Sequence, residues 1–211
     1  MEKGIEMANT LTELGKLEVI RKSGKERFRD GNRQLDFDLM SYWQWSASDL
    51  VSNVTRGVMA EYIVGRAFGI GSGGVREEWA AYDLITPSGI KVEVKSAAYV
   101  QSWHQNRLSK ITFRTPKTLT WDSDSNRQSQ EAKRQANVYV FALLAHQEKK
   151  TIDPLDVSQW EFYVLSTLIL DAWKRRQHSI TLSTLQKLTG EPVGYNNLKS
   201  AVEQAAKRKS I

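Results

Sequence analysis

Cysteine is missing from all 211 residues, which removes both a disulfide framework and a thiolate zinc site and makes an intracellular, reducing compartment the expected home. Long apolar runs are missing too. A stretch such as Val138-Tyr-Val-Phe-Ala-Leu-Leu-Ala145 is far short of the roughly 20 residues a membrane helix needs. The opening residues Met1-Glu-Lys-Gly-Ile-Glu6 carry no apolar segment of the signal-peptide kind. A cytoplasmic protein without a membrane partner is therefore expected. Histidine is scarce: His104, His146 and His178 are far apart and lack zinc-ligand spacing. No phosphate-binding Walker loop, no nucleophile elbow of the serine hydrolases and no internal repeat occurs.

What is present is a basic chain with enough apolar residues for a core. The formal charge is +6 and 40% of residues are hydrophobic, so one large domain, or one with a small appendage, is expected. A basic surface suits a polyanion, because phosphates that meet lysine and arginine release counterions. We divide the chain into a polar, basic arm (residues 1–34), a core (35–175) and a helical C-terminal extension (176–211). The arm, most basic at Arg21-Lys-Ser-Gly-Lys-Glu-Arg-Phe-Arg29, reads as mobile or as a poorly packed helix.

A helix is predicted from Ser46, which with Asp49 three residues on resembles a capping box, to Gly69. Its inward stripe is expected at Leu50, Val54, Val58 and Ile63 or Tyr62, which places Glu61 on or beside the buried side. An acid there needs a partner. Gly69-Ile-Gly-Ser-Gly-Gly74 matches a dinucleotide-loop pattern, but it closes a helix instead of opening one, so it reads as a connector. Strands are predicted near Ala80 to Ile85, Ile90 to Ser96, Ile111 to Arg114, Asn137 to Leu144 and Trp160 to Leu165. Trp121 to Gln130 reads as a surface loop leading into a short helix. Helical patterns at Thr181 to Leu188 and Tyr195 to Ala206 close the chain. The second of these opens with Tyr195, Asn196, Asn197 and Lys199, so the pair either packs on the sheet or forms a small DNA-reading helix-turn-helix.

The turn Thr86-Pro-Ser-Gly-Ile90 carries the most information. Pro87 suits the first central position of a type I turn and Gly89 the left-handed residue that completes a three-residue hairpin loop with a bulge. In that register Thr86 faces Ile90, Leu84 faces Val92, Asp83 faces Glu93 and Tyr82 faces Val94. Period-two alternation then puts Tyr82, Leu84, Val92 and Val94 on one face, and Asp83, Glu93 and Lys95 on the other. A two-residue loop would mix polar and apolar groups on both faces. Two carboxylates opposed across a strand pair, with Cβ atoms about 5 Å apart, repel unless a cation lies between them. Magnesium fits, since it takes hard oxygen ligands and is satisfied with one or two protein carboxylates. Lys95, on the same face, can reach an attacking water or the attacked phosphate. The bland alternative is a solvated strand face in which Lys91, Glu93 and Lys95 form ordinary ion pairs.

An acid on a first helix, then Asp83, a turn, and Glu93-Val-Lys95 resemble the PD-(D/E)XK, or restriction-endonuclease-like, nuclease superfamily over roughly Ser46 to Trp103. Tyr82 stands where that motif has proline. The resemblance implies an α/β fold, a mixed central β-sheet flanked by helices, and magnesium-dependent cleavage of phosphodiesters, with manganese able to substitute. It implies metal ligands at Asp83, Glu93 and the Val94 carbonyl, a Lys95 that assists the water, and Glu61 as the helix acid. Some branches place a glutamine after the Glu-x-Lys strand, where this chain has Gln101. Trp103 and Arg107 follow as candidate substrate contacts, by stacking on a base and by pairing with a phosphate.

The expected function is a DNA endonuclease compatible with restriction, phage defence or repair. A homodimer would suit two cuts in a duplex. The alternative, a DNA-binding or scaffolding module that does not cut, keeps the same fold.

Overall fold

The computed structural model describes residues 16–71, 73–122, 126–173 and 178–207. Residues 1–15 of the basic arm and 123–125 of the expected surface loop lie outside them.

The described part of the arm departs from expectation. It forms an antiparallel hairpin, β1 (Arg27–Asp30) and β2 (Arg33–Asp38), joined by Gly31-Asn32. Gly31 has φ +60°, which suits a glycine at the first central position of a two-residue hairpin loop, and Phe28 stacks on Phe37 at 4.8 Å. The turn signal Asp30-Gly31 lay inside a charged stretch that masked it. Helix α1 (Leu39–Ala47) follows, and its capping box is Asp38 with Ser41: the Ser41 N–H donates to Asp38 Oδ1 (2.9 Å) and the Asp38 N–H to Ser41 Oγ (3.2 Å).

The predicted helix start at Ser46 is thus wrong, because Ser46 lies in the last turn of α1. Helix α2 runs Asn53–Ala67 with Ser52 as N-cap, its hydroxyl accepting from the Thr55 N–H. Its inward side is also turned from the prediction: Ala60, Ile63, Val64 and Arg56 are buried, while Val54 and Val58 are 80% and 43% exposed. Ser52→Ala is expected to cost about 1 kcal/mol. Ser46→Ala, on a surface away from any cap, should stay within about 0.5 kcal/mol. Urea denaturation midpoints distinguish the two, and equal losses would contradict the observed start.

The central sheet has the order β3-β4-β8-β9, from β3 (Leu84–Ile85), β4 (Lys91–Ala98), β8 (Val138–Leu144) and β9 (Trp160–Ser166). Between β4 and β8 lie β5 (Thr112–Arg114) and the hairpin β6 (Trp121–Asp122) and β7 (Arg127–Gln128), the last where a loop and a short helix were expected. The pair β4/β8 is parallel, whereas β3/β4 and β8/β9 are antiparallel, so the predicted mixed sheet flanked by helices is what forms. Val138-Tyr-Val-Phe-Ala-Leu-Leu144 is buried at every position, as a central strand covered on both faces must be.

Alternation sorts that strand between two cores. Val138, Val140, Ala142 and Leu144 join Val92, Val94 and the buried side of α2. Tyr139, Phe141 and Leu143 join Phe113, Tyr163, Leu165 and Leu170, the last on α3 (Thr167–Trp173). Strand β10 (Ser179–Thr181) pairs with β5, and helices α4 (Leu182–Thr189) and α5 (Leu198–Lys207) complete the chain. Leu185 of α4 enters the second core, and Leu198, Val202 and Ala205 of α5 enter the first. The terminal helices therefore pack their apolar faces on the sheet, one of the two uses their sequence allowed.

Candidate active site

The hairpin before β4 has the expected loop. The Thr86 N–H donates to the Ile90 carbonyl (2.9 Å), the Gly89 N–H to the Thr86 carbonyl (2.8 Å), and Gly89 has φ +82°. The register Leu84 to Val92 and Ile85 to Lys91 follows. Only those two pairs form, where a strand from Ala80 was predicted. At Asp83 the side chain takes over from the main chain: Asp83 Oδ2 accepts the Val94 N–H at 2.7 Å, and the Asp83 N–H donates to the Val92 carbonyl at 3.1 Å.

Because the ladder ends there, Tyr82 does not share a face with Leu84, Val92 and Val94. It packs against the second core, with the Lys91 ammonium 5.1 Å from its ring centroid. A two-residue ladder cannot impose alternation on what precedes it.

Glu93 and Lys95 alternate with the buried Val92 and Val94, so both project from the opposite face of β4. Lys95 Nζ donates to Glu93 Oε1 at 2.5 Å. Asp83 and Glu93 wall one cavity of about 280 Å³. Burial pushes the Asp83 carboxyl up to about 7; the Glu93 carboxylate adds to the rise, the Val94 N–H opposes it, and Glu61 raises it further. An acid held half-protonated near neutrality beside a second acid marks a place where negative charge is concentrated.

The Glu61 side chain is only 13% exposed, although Val54 and Val58 on the same stripe are open to solvent, and it lines a cavity of about 410 Å³ together with Asp83, Tyr62 and Leu84. Its carboxylate is held by Arg76, with Nε to Oε2 at 2.5 Å and an Nη to Oε1 at 3.1 Å. That fork sets a planar guanidinium across from a carboxylate, and the hydrogen bond to Glu61 raises the Arg76 pKa. Asp83 thus stands between the two cavities, with Glu93 lining one and Glu61 the other.

The remaining candidates lie elsewhere. Gln101 is buried, and its amide is occupied by the Ala98 carbonyl (2.9 Å), Ser109 Oγ (3.3 Å) and Arg56 (3.4 Å), so it pins the loop after β4 to α2. Arg56 is itself buried with neutral partners, including Ser96 Oγ, Asn53 Oδ1 and the Val51 carbonyl, and burial lowers its pKa. Trp103 and Arg107 are exposed on that loop and line neither cavity that holds Asp83. Sequence reading missed Arg76, Trp79 and Trp121. All three lie where short or irregular segments gave no periodicity to place them.

Asp83 and Glu93 thus share one cavity, Lys95 is bonded to Glu93, and Glu61 lines the neighbouring cavity with Asp83. The family described as bacteriophage T4 endonuclease IV matches residues 6–184, and the protein belongs to this family of nucleases. No curated protein and no solved structure matches the chain.

Proposed function

We propose that the protein is a magnesium-dependent DNA endonuclease with a PD-(D/E)XK-type centre. The observation that carries this is the meeting of Asp83 and Glu93 at the point where the β3/β4 ladder stops. Membership of an endonuclease family supports cleavage of a phosphodiester, and the basic charge supports a polyanionic substrate.

The residues fit a magnesium ion. Among the described residues no three histidine, aspartate or glutamate side chains gather as a metal cage. Magnesium does not need one, because it commonly takes one or two carboxylates and leaves its other positions to water and phosphate. Asp83 and Glu93 would hold it. The Val94 carbonyl would add a third oxygen, since N–H and C=O of one strand residue project to the same side and the Val94 N–H already points at Asp83. The ion would supply Lewis acidity toward the phosphate and lower the pKa of the attacking water. Manganese, also a hard divalent ion, should substitute.

Lys95, whose ammonium donates to Glu93 Oε1, is placed to orient the water or to offset charge on the attacked phosphate. Glu61 contributes a third negative group beside Asp83. Arg76 neutralises it and sets a second cation beside Asp83.

The direct test incubates purified protein with plasmid, linear and single-stranded DNA, with magnesium or with chelator. Cleavage only with the metal is expected. Binding without cutting under every condition would overturn the proposal in favour of a non-cutting DNA-binding module. For Glu61→Gln, which keeps shape and removes charge, cleavage should slow roughly 10-fold or more, as for residues that support a metal ligand. DNA affinity should change less. Unchanged kinetics would remove Glu61 from the site.

A further inference from the structure

Two tryptophans border the candidate site without belonging to either core. Trp79 lies in the irregular segment before β3 and Trp121 opens β6, yet their rings meet at 5.6 Å and 69°, edge to face. They are 68% and 41% exposed. With Thr118, Thr120, Asp83 and Glu93 they line the 280 Å³ cavity, so the indoles and the two carboxylates share one space.

Indole surface left in water is lost stabilisation, and an edge-to-face pair leaves at least one face of each ring uncovered by the other. Each ring holds the other in place, which makes a fixed apolar wall. Across from it the carboxylates repel phosphate but not an uncharged ring. A nucleotide joins both chemistries: its phosphate suits the metal and Lys95, and its planar base suits the indoles. The cavity, about 280 Å³, lies at the small end of ligand sites, a size that suits a single base.

We propose that Trp79 and Trp121 form a stacking platform for the nucleobase next to the phosphodiester being cut. This rests on the DNA-endonuclease reading above. Stacking on aromatic side chains is tolerant of base identity, because every base has a π-face, so the platform positions the strand whatever its sequence. Exposed Lys117, Arg127 and Lys133 are carried on the same segments as Trp121, with Thr118 and Lys133 bridged by main-chain hydrogen bonds of 3.2 and 3.1 Å. They give that side of the cavity cations for neighbouring phosphates.

The experiment first maps where the wild-type protein cuts a mixed-sequence DNA oligonucleotide, then compares Trp79→Ala and Trp121→Ala. Loss of one stacked base corresponds to a KM rise of roughly 5- to 100-fold, with kcat changed much less. Trp79→Phe and Trp121→Phe should restore most of it. An abasic nucleotide beside the mapped cut should raise the wild-type KM by a similar factor and add little to the alanine variants, because one interaction cannot be lost twice. Alanine variants with KM within twofold of wild type, or full additivity with the abasic site, would overturn the platform. So would a change from dimer to monomer in the variants, since the rings would then cover a second copy of the chain. If the wild type cuts nothing, the nuclease proposal fails by itself. Fluorescence anisotropy of a labelled oligonucleotide in chelator then decides the platform alone: at least fivefold weaker binding by both alanine variants supports it, and unchanged binding ends it.

Discussion

Asp83→Asn and Glu93→Gln are each expected to lower the cleavage rate by well over about 100-fold while leaving the fold intact. Changes to groups that merely support metal ligands cost 10- to 100-fold, so loss of a ligand should cost more. Both substitutions keep side-chain shape, and an amide oxygen at position 83 can still accept the Val94 N–H. Calorimetric titration should show magnesium and manganese binding lost in each; binding equal to wild type would sink the ligand assignment.

The same pair predicts how stability depends on pH without metal. Burial and the Glu93 charge hold Asp83 at about 7, above its ordinary 3.8. Between those values the folded protein binds more protons than the unfolded chain. The contribution of Asp83 to stability is therefore most favourable below about pH 4 and is lost as pH rises toward and through 7. At pH 8 the cost is on the order of 2–4 kcal/mol. Asp83→Asn carries no charge and should escape it, so in chelator the variant should melt above wild type at pH 8 and near it at pH 4. Added magnesium should raise the wild-type melting temperature and leave that of the variant unmoved. Parallel melting curves across the whole range would show that neither burial nor Glu93 raises the Asp83 carboxyl.

Lys95→Ala is expected to reduce cleavage by roughly 10²- to 10⁴-fold, the range in which a positioned proton-handling or charge-stabilising group contributes. Metal binding should survive, because the ammonium coordinates nothing. It should even tighten, since the variant removes a cation from beside Glu93. Affinity for DNA should fall only modestly. The split between kcat and metal binding is the measurement that matters: a merely structural lysine would lower both with the melting temperature, and full activity would return Lys91, Glu93 and Lys95 to an ordinary solvated strand face.

Much of the site's framework was legible because it depends on local rules. Pro87 and Gly89 dictate the turn, the turn dictates that Leu84 meets Val92, and a period of two puts Glu93 and Lys95 together. Continuous apolar character likewise marked Val138 to Leu144 as a strand, and the apolar faces of α4 and α5 were visible as helical patterns. Where short-range signals competed, the reading failed. Two capping patterns lay close together, and the helix start was assigned to Ser46 when Asp38 and Ser52 were the caps. An Asp-Gly turn hidden among charges concealed β1 and β2.

By itself, then, the sequence determined the hairpin register, the central strands and the neighbourhood of Asp83, Glu93 and Lys95, since each follows from contacts within about a dozen residues. Only the tertiary structure decided which side of α2 meets the sheet, because Val54 and Val58 have the spacing of a buried stripe yet face outward, and packing against Val92 and Val94 selected Ala60, Ile63 and Val64 instead. It alone brought Arg76 onto Glu61, and Trp121 onto Trp79 across 41 intervening residues. No periodicity encodes such meetings, because their partners lie in irregular segments or on separate elements, and the side chain of Asp83 takes the Val94 N–H where the β3 ladder ends.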